Sequence, residues 1–311
     1  MLDMYDFQND IWLCHSIDGI CFNFTAFQPA INALKEIEKF LSINPSEVIT
    51  IFIEDYVNSP QGLTKVFNAS GLSKFFFPSS EMPKNGEDWP SISEMINKNH
   101  RLLVFTSKKS KEASEGISYQ WNYLIESQYG DEGMKMNSII NRAESLPLNT
   151  TSRSLLLMNF FPTDPNSTDA CVHNSVPLIS MIENFPRFSS NRWPNFVAVD
   201  FYMESNARGP YEAVDKANGH MICGCDNFAN CKVNNCSFGT CVVPSKASRV
   251  WEYFNYGFLF ITQTHKEKGR NSRDSRRPGG DLTTVVWRSA AGRWFDDNRV
   301  EVGRRSLAGA G

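Results

Sequence analysis

The sequence has no long hydrophobic run. Its longest apolar stretches, such as residues 48–53, are strand-sized, far short of the roughly 18–20 apolar residues that a membrane-spanning helix needs. It also lacks several catalytic signatures. There is no G-x-S-x-G elbow, which removes the support for a serine hydrolase, and no G-x-x-x-x-G-K-[ST] or G-x-G-x-x-G loop to cradle a nucleotide. The zinc-protease pattern H-E-x-x-H is missing as well. An excess of basic charge is absent: the 311 residues carry a formal net charge of −3. Residues 1–244 hold 18 Lys+Arg against 27 Asp+Glu, a net of −9, which argues against nucleic acid as a partner. No cysteine lies beyond Cys241, and the opening residues do not read as a secretory leader.

What is present is a globular α/β pattern. Hydrophobic content of 41% and charged content of 21% are ordinary globular values. Strand-like runs fall at residues 1–5, 11–14, 48–54, 101–106, 154–160 and 196–201. Between them, residues 30–41 place Ile31, Leu34, Ile37 and Leu41 on one helical face. Residues 91–99 open with Ser91 and carry Glu94 three positions on, the pattern of a capping box. Residues 177–184 and 211–217 are weaker helical segments. Buried strands separated by helices predict an α/β fold with a mainly parallel sheet. Pattern alone does not separate a closed (β/α) barrel from an open doubly wound sheet.

The eight cysteines are Cys14, Cys21, Cys171, Cys223, Cys225, Cys231, Cys236 and Cys241. Cys14 and Cys21 flank the short loop HSIDGI and are read as bridging each other. Five cysteines fall within residues 223–241, the first two only one residue apart. Zinc ligands are usually spaced by two to four residues, so disulfides are the better reading, with Cys171 left to pair with one of the later cysteines. Sequons at Asn23, Asn68, Asn149, Asn166 and Asn235 fit the same oxidising, secretory context. Residues 1–220 read as one α/β domain and 221–244 as a cysteine-rich segment. Residues 245–311, with 13 Lys+Arg against 7 Asp+Glu, read as a basic tail, mostly disordered.

Chemistry concentrates at strand ends. In the opening MLDMYDFQNDIWLCHS, Asp3 sits in one apolar run and His15 closes the next. Three further runs end on polar residues: IFIEDY at Glu54 and Asp55, LLVFTSK at Lys108 and VAVDFY at Asp200. In α/β barrels the C-terminal strand ends carry the reacting groups. A histidine that titrates near neutrality, with carboxylates to orient it, suits proton transfer in phosphoryl or acyl chemistry.

The segments MLDMYDFQNDIWLCHS, CFNFTAFQPAIN, EVITIFIEDY, RLLVFTSK, NTTSRSLLLMNFFP, WPNFVAVDFY and NGHMICGCDN resemble plant secreted proteins with a phosphatidylinositol-specific phospholipase C X-domain-like fold. The resemblance runs from residue 1 to about 244. It implies a distorted TIM-type (β/α) barrel of the PLC-like phosphodiesterases with a disulfide-rich C-terminal segment. It further implies a phosphoric diester hydrolase acting on a phosphatidylinositol-type or related glycerophosphodiester, a monomer touching the membrane surface peripherally, in an extracellular or cell-surface setting. A non-catalytic cell-wall binding protein on the same scaffold is the alternative. By motif, His15 matches the histidine that protonates the leaving oxygen, Asp3 the carboxylate of the second barrel strand, and Asp200 the aspartate that orients the first histidine. Lys108 matches a basic position that contacts phosphate or inositol hydroxyls. Glu54 falls where calcium-dependent relatives place a metal ligand.

Departures from the family pattern are equally specific. The first histidine belongs to a strand that would precede residue 1, so the expectation is an incomplete barrel with weak or no turnover. Tyr5 stands where bacterial relatives place an arginine, and Met1 where calcium-dependent relatives place a glutamate. The expected site is therefore metal-free, with calcium held through Asp3 and Glu54 as the alternative.

Overall fold

The computed structural model describes residues 1–202, 204–206, 209–217, 258–262 and 285–288. The chain opens with β1 (Leu2–Phe7) and β2 (Asp10–Cys14), an antiparallel hairpin whose Gln8 and Asn9 take φ of 50° and 61°. Positive φ at both central residues is the two-residue turn whose twist matches that of paired strands. β3 (Ala26–Pro29) continues the antiparallel pairing and leads into α1 (Ala30–Ile43). Leu34, Ile37 and Leu41 are buried on one face of α1, as the spacing predicts.

β4 (Ile49–Tyr56) is buried along seven of its eight residues, the pattern of a strand covered on both faces. α2 (Gly62–Ser70) follows and stops at Gly71, which adopts the left-handed conformation. α3 (Ile92–Asn97) begins with the predicted capping box of Ser91 and Glu94. Then come β5 (Leu102–Thr106), α4 (Ser110–Glu115), β6 (Ser118–Tyr119), β7 (Leu124–Glu126), α5 (Gly130–Gly133) and β8 (Leu155–Asn159). The described chain ends with α6 (Ser167–His173), α7 (Val176–Asn184), β9 (Phe196–Ala198), α8 (Pro210–Ala217), β10 (Phe258–Thr262) and β11 (Val285–Arg288).

All eleven strands of the described residues join one mixed sheet in which parallel pairings predominate, β4 with β11 and β5 with β6 among them. β4 is parallel to β1 and β5, and β8 is parallel to β7 and β9. β1–β2, β2–β3, β9–β10 and β10–β11 are antiparallel. The hairpin departs from the parallel expectation because a two-residue turn cannot return a strand in parallel. No ladder among the described residues joins β6 to β7. Within 245–311, a region read as mostly disordered, β10 and β11 lie in the sheet between β9 and β4. The rest of that region, and the cysteine-rich segment 221–244, lie outside the described residues.

Side chains alternate between the two faces. On the outer face, Leu2, Met4, Ile51, Ile53 and Val104 pack with Leu34, Ile37, Leu63 and Phe67 of α1 and α2. Val197 and Met158 pack with Leu178 and Ile182 of α7. The inner face buries Met1, Phe52, Phe105, Leu124, Leu157, Phe196 and Ala198 together. The ring of Phe52 lies 5.3 Å from Phe105 on the neighbouring strand and 5.1 Å from Phe196 on β9. The sheet therefore curls until its inner face meets itself.

Candidate functional site

Above that apolar layer, the same alternation turns polar side chains inward at the C-terminal strand ends. Phe52 is followed by Glu54, Leu124 by Glu126, Leu157 by Asn159 and Ala198 by Asp200, and all four polar residues are buried. On β1, Asp3 is buried and in register with Glu54. Met4 pairs with Leu13, so Asp3 stands opposite Cys14, one residue from His15. The hairpin thus brings Asp3, Glu54 and the backbone of His15 to one place.

His15 is exposed and rides on a small rigid loop. Cys14 and Cys21 are joined by a disulfide. Inside it, Ile17 and Ile20 pair across Asp18 and Gly19, whose φ of 53° and 79° make a tight turn. The His15 N–H donates to the Thr25 carbonyl at 3.1 Å. Next along, Ser16 hydrogen-bonds the Tyr5 phenol, which burial pushes well above its usual range. Tyr5 stacks on Tyr56 at 4.3 Å between ring centroids.

The centre of the mouth is Arg142, a residue the sequence reading did not single out. Its Nη1 donates to Glu54 Oε1 at 2.7 Å and Glu126 Oε1 at 3.2 Å. Nη2 donates to Glu54 Oε2 and Glu144 Oε1, each at 3.4 Å, and Nε to Glu144 Oε2 at 3.1 Å. The guanidinium lies 5.3 Å from the Trp121 ring and 5.1 Å from the Tyr129 ring. Asn159 Nδ2 and Gln120 Nε2 also donate to Glu126, at 3.0 and 3.2 Å. Burial raises the Glu126 pKa, with Arg142 opposing the rise. The carboxylates in turn hold the Arg142 pKa far above its ordinary value against its own burial.

Asp200 is different. It is fully buried, and neither carboxyl oxygen has a hydrogen-bond partner among the described residues. Burial pushes its pKa up to about 7. Phe201, immediately after it, holds φ at 38°, an uncommon conformation for an aromatic residue and of a kind that clusters at functional sites.

Lys108 is not gathered with this group. Its Nζ donates to the Val57 carbonyl at 3.1 Å and Asn58 Oδ1 at 2.9 Å, on the loop after β4. The aromatics of SYQWNYLIESQYG divide as core and rim: Trp121 and Tyr123 are buried, and Tyr129 is exposed. Asn23, Asn68, Asn149 and Asn166 are all exposed, although Asn166 also caps α6 through the Asp169 N–H. Cys171 is unbridged among the described residues. Asn235 and the five cysteines from Cys223 to Cys241 lie outside them.

The calcium alternative through Asp3 and Glu54 meets a geometric obstacle. Calcium needs six to eight oxygens at about 2.3–2.6 Å, yet both Glu54 oxygens face Arg142. No group of three or more His, Cys, Asp or Glu suited to a metal exists among the described residues. These carboxylates do not fit a divalent ion in this arrangement.

The sequence profile of the PI-PLC X family (PI-PLC X 1) matches residues 3–213, a span containing all of these groups. The chain belongs to the PI-PLC X-domain family. It is 54% identical over 241 residues to an Arabidopsis thaliana protein named "PI-PLC X domain-containing protein At5g67130", covering 78% of this chain. The matched part is 56% of that relative, so the chain spans about half the length of the curated relative it matches. No solved structure matches it. No helix among the described residues is long and apolar enough to cross a membrane.

Proposed function

We propose that this PI-PLC X-domain chain is a phosphoric diester hydrolase that cleaves a phosphatidylinositol-type or related glycerophosphodiester at the polar mouth of a TIM-type barrel. The observation that carries the reading is the juxtaposition of Asp3 and Glu54, in register on neighbouring strands, with the backbone of His15 following Cys14, opposite Asp3, on a disulfide-tethered loop. As the inositol 2-hydroxyl loses its proton to water and attacks phosphorus, closing a cyclic phosphate, His15 is the general acid that gives its proton to the leaving oxygen. Asp3 is the inward carboxylate of the second barrel strand in this reading. Asp200 stands, by the family resemblance, at the place of the carboxyl that orients the first histidine. The amphiphilic nature of the substrate is supported by the loop around His15, which exposes Ile17, Ile20 and Phe24, the last at 77%. Large apolar groups exposed next to a polar mouth suit a lipid–water interface. The Cys14–Cys21 bridge and the exposed sequons support an oxidising, extracellular setting.

The test is inositol phosphate release from phosphatidylinositol micelles. Turnover is expected to fall by about 10²–10⁴ in His15→Ala, with thermal stability unchanged because the ring is exposed. Release that is equal in wild type and His15→Ala overturns the assignment. A second reading, a non-catalytic binding protein on the same scaffold, is favoured by one observation: Arg142 occupies Glu54 and Glu126 together. That reading expects no release above the blank, and lipid affinity retained in His15→Ala.

A further inference from the structure

Arg142 is placed as a metal ion would be placed, among inward-facing carboxylates at the strand ends. Its bonding is closed. A guanidinium has five N–H donors, and Arg142 makes five donor contacts, all to the carboxylates of Glu54, Glu126 and Glu144. Nothing is left over to grip a substrate phosphate. The acceptors are closed too: both Glu54 oxygens are taken by Arg142, and Glu126 is shared among Arg142, Asn159 and Gln120. Aromatic rings at about the same distance, Trp121 and Tyr129, pin the guanidinium in place.

We propose that Arg142 is the resident counter-cation of the mouth, a covalent substitute for a divalent metal, and that it keeps metal ions out of the site. It acts through Glu54 and Glu126 rather than on substrate, so it is a positioning residue. Its charge lowers the negative potential that these carboxylates would otherwise direct at an incoming phosphodiester. The consequence for turnover rests on the phosphodiesterase reading; the consequence for metal binding does not.

The experiment uses the full chain and terbium(III), a calcium mimic whose luminescence is sensitised by a nearby tryptophan, here Trp121. It is run without substrate. Wild type and Arg142→Lys are expected to give no saturable signal from this site. Arg142→Ser, which frees the carboxylate oxygens, is expected to gain a signal that calcium displaces and that a further Glu54→Gln change abolishes. Two results overturn the proposal: a wild-type signal that is lost in Glu54→Gln, or a folded Arg142→Ser that stays silent. Should Arg142→Ser fail to fold by circular dichroism, the comparison of wild type with Glu54→Gln decides alone. In parallel, any phosphodiesterase turnover is expected to be unchanged by EDTA. Absence of turnover with the expected terbium pattern counts against the enzymatic reading and leaves the counter-cation standing.

Discussion

Glu54 and Asp55 are adjacent on β4, both buried, and face opposite sides of the sheet. Glu54 turns inward to an arginine that reaches it from 88 residues away. Asp55 turns outward, where it accepts the Thr106 hydroxyl at 2.7 Å and the Val57 N–H at 2.9 Å. Farther out on that face, Glu115 pairs with Lys111 and accepts the N–H and hydroxyl of Thr64, tying α4 to α2. The inward carboxylate belongs to a buried charged network at the C-terminal strand ends. Its outward neighbour belongs to local bonds that fasten a loop. One strand thus separates function from scaffolding by the two-residue period of its side chains.

The sharpest way to break this comparison is to remove the inward cation. Arg142→Ala leaves Glu54 and Glu126 buried without compensation, and loss of one partner of a buried ion pair costs about 3–5 kcal/mol. The variant is expected to unfold at much lower urea than wild type. Adding Glu54→Gln and Glu126→Gln to Arg142→Met removes the stranded charges, and most of that loss is expected to return. Equal destabilisation by the single and triple variants would mean that packing on Trp121 and Tyr129, not charge, fixes Arg142.

Asp200 sharpens the contrast, because it is a buried inward carboxyl with no cation beside it among the described residues. Its folded-state pKa stands above the unfolded value, so the folded chain retains the proton where the unfolded chain has lost it. Stability contributed by this group is full below the ordinary carboxyl range near 4. It falls as pH rises toward about 7 and is flat above that. The slope within the window approaches about 1.4 kcal/mol per pH unit. Asp200→Asn keeps the shape without the ionisation. It is expected to match wild type near pH 4 and to exceed it near pH 8, read by denaturant titration at both. Parallel pH profiles for the two proteins would show that Asp200 ionises freely when folded.

Much of this architecture was legible from the chain. The apolar spacing of α1, the Ser91–Glu94 cap and the runs that became β4, β5 and β8 each carry a local signal, and local signals survive folding. Glu126 and Asn159 were within reach of the rule applied to Glu54, since both end buried apolar runs on the inward side. β7 escaped because three residues give no measurable period. α2 escaped although Leu63, Val66 and Phe67 mark its buried face. Arg142 had no signal at all: it lies outside every named helix and strand, and its partners Glu54 and Glu126 meet it only once the sheet has curled. Lys108 stands apart for the opposite reason. It stands at a strand end, but it continues the outward series of Val104 and Thr106 rather than the inward one.

That phase argument supports the smallest predictions. Asp55→Asn retains an acceptor for Val57 and loses only the strength of a charged acceptor for Thr106, so about 1 kcal/mol or less is expected. Lys108→Ala removes two contacts to the loop at residues 57–58, and a partly exposed ammonium making them is worth about 0–1 kcal/mol. If the faces are as separate as the geometry makes them, neither change alters KM for phosphatidylinositol beyond about threefold, or roughly 0.6 kcal/mol. A tenfold rise in KM for Lys108→Ala, with kcat preserved, would show that the side chain leaves Val57 and Asn58 and swings over the strand ends to meet the phosphate. The outward face would then be part of the site, and the division drawn between Glu54 and Asp55 would fail at its nearest cation.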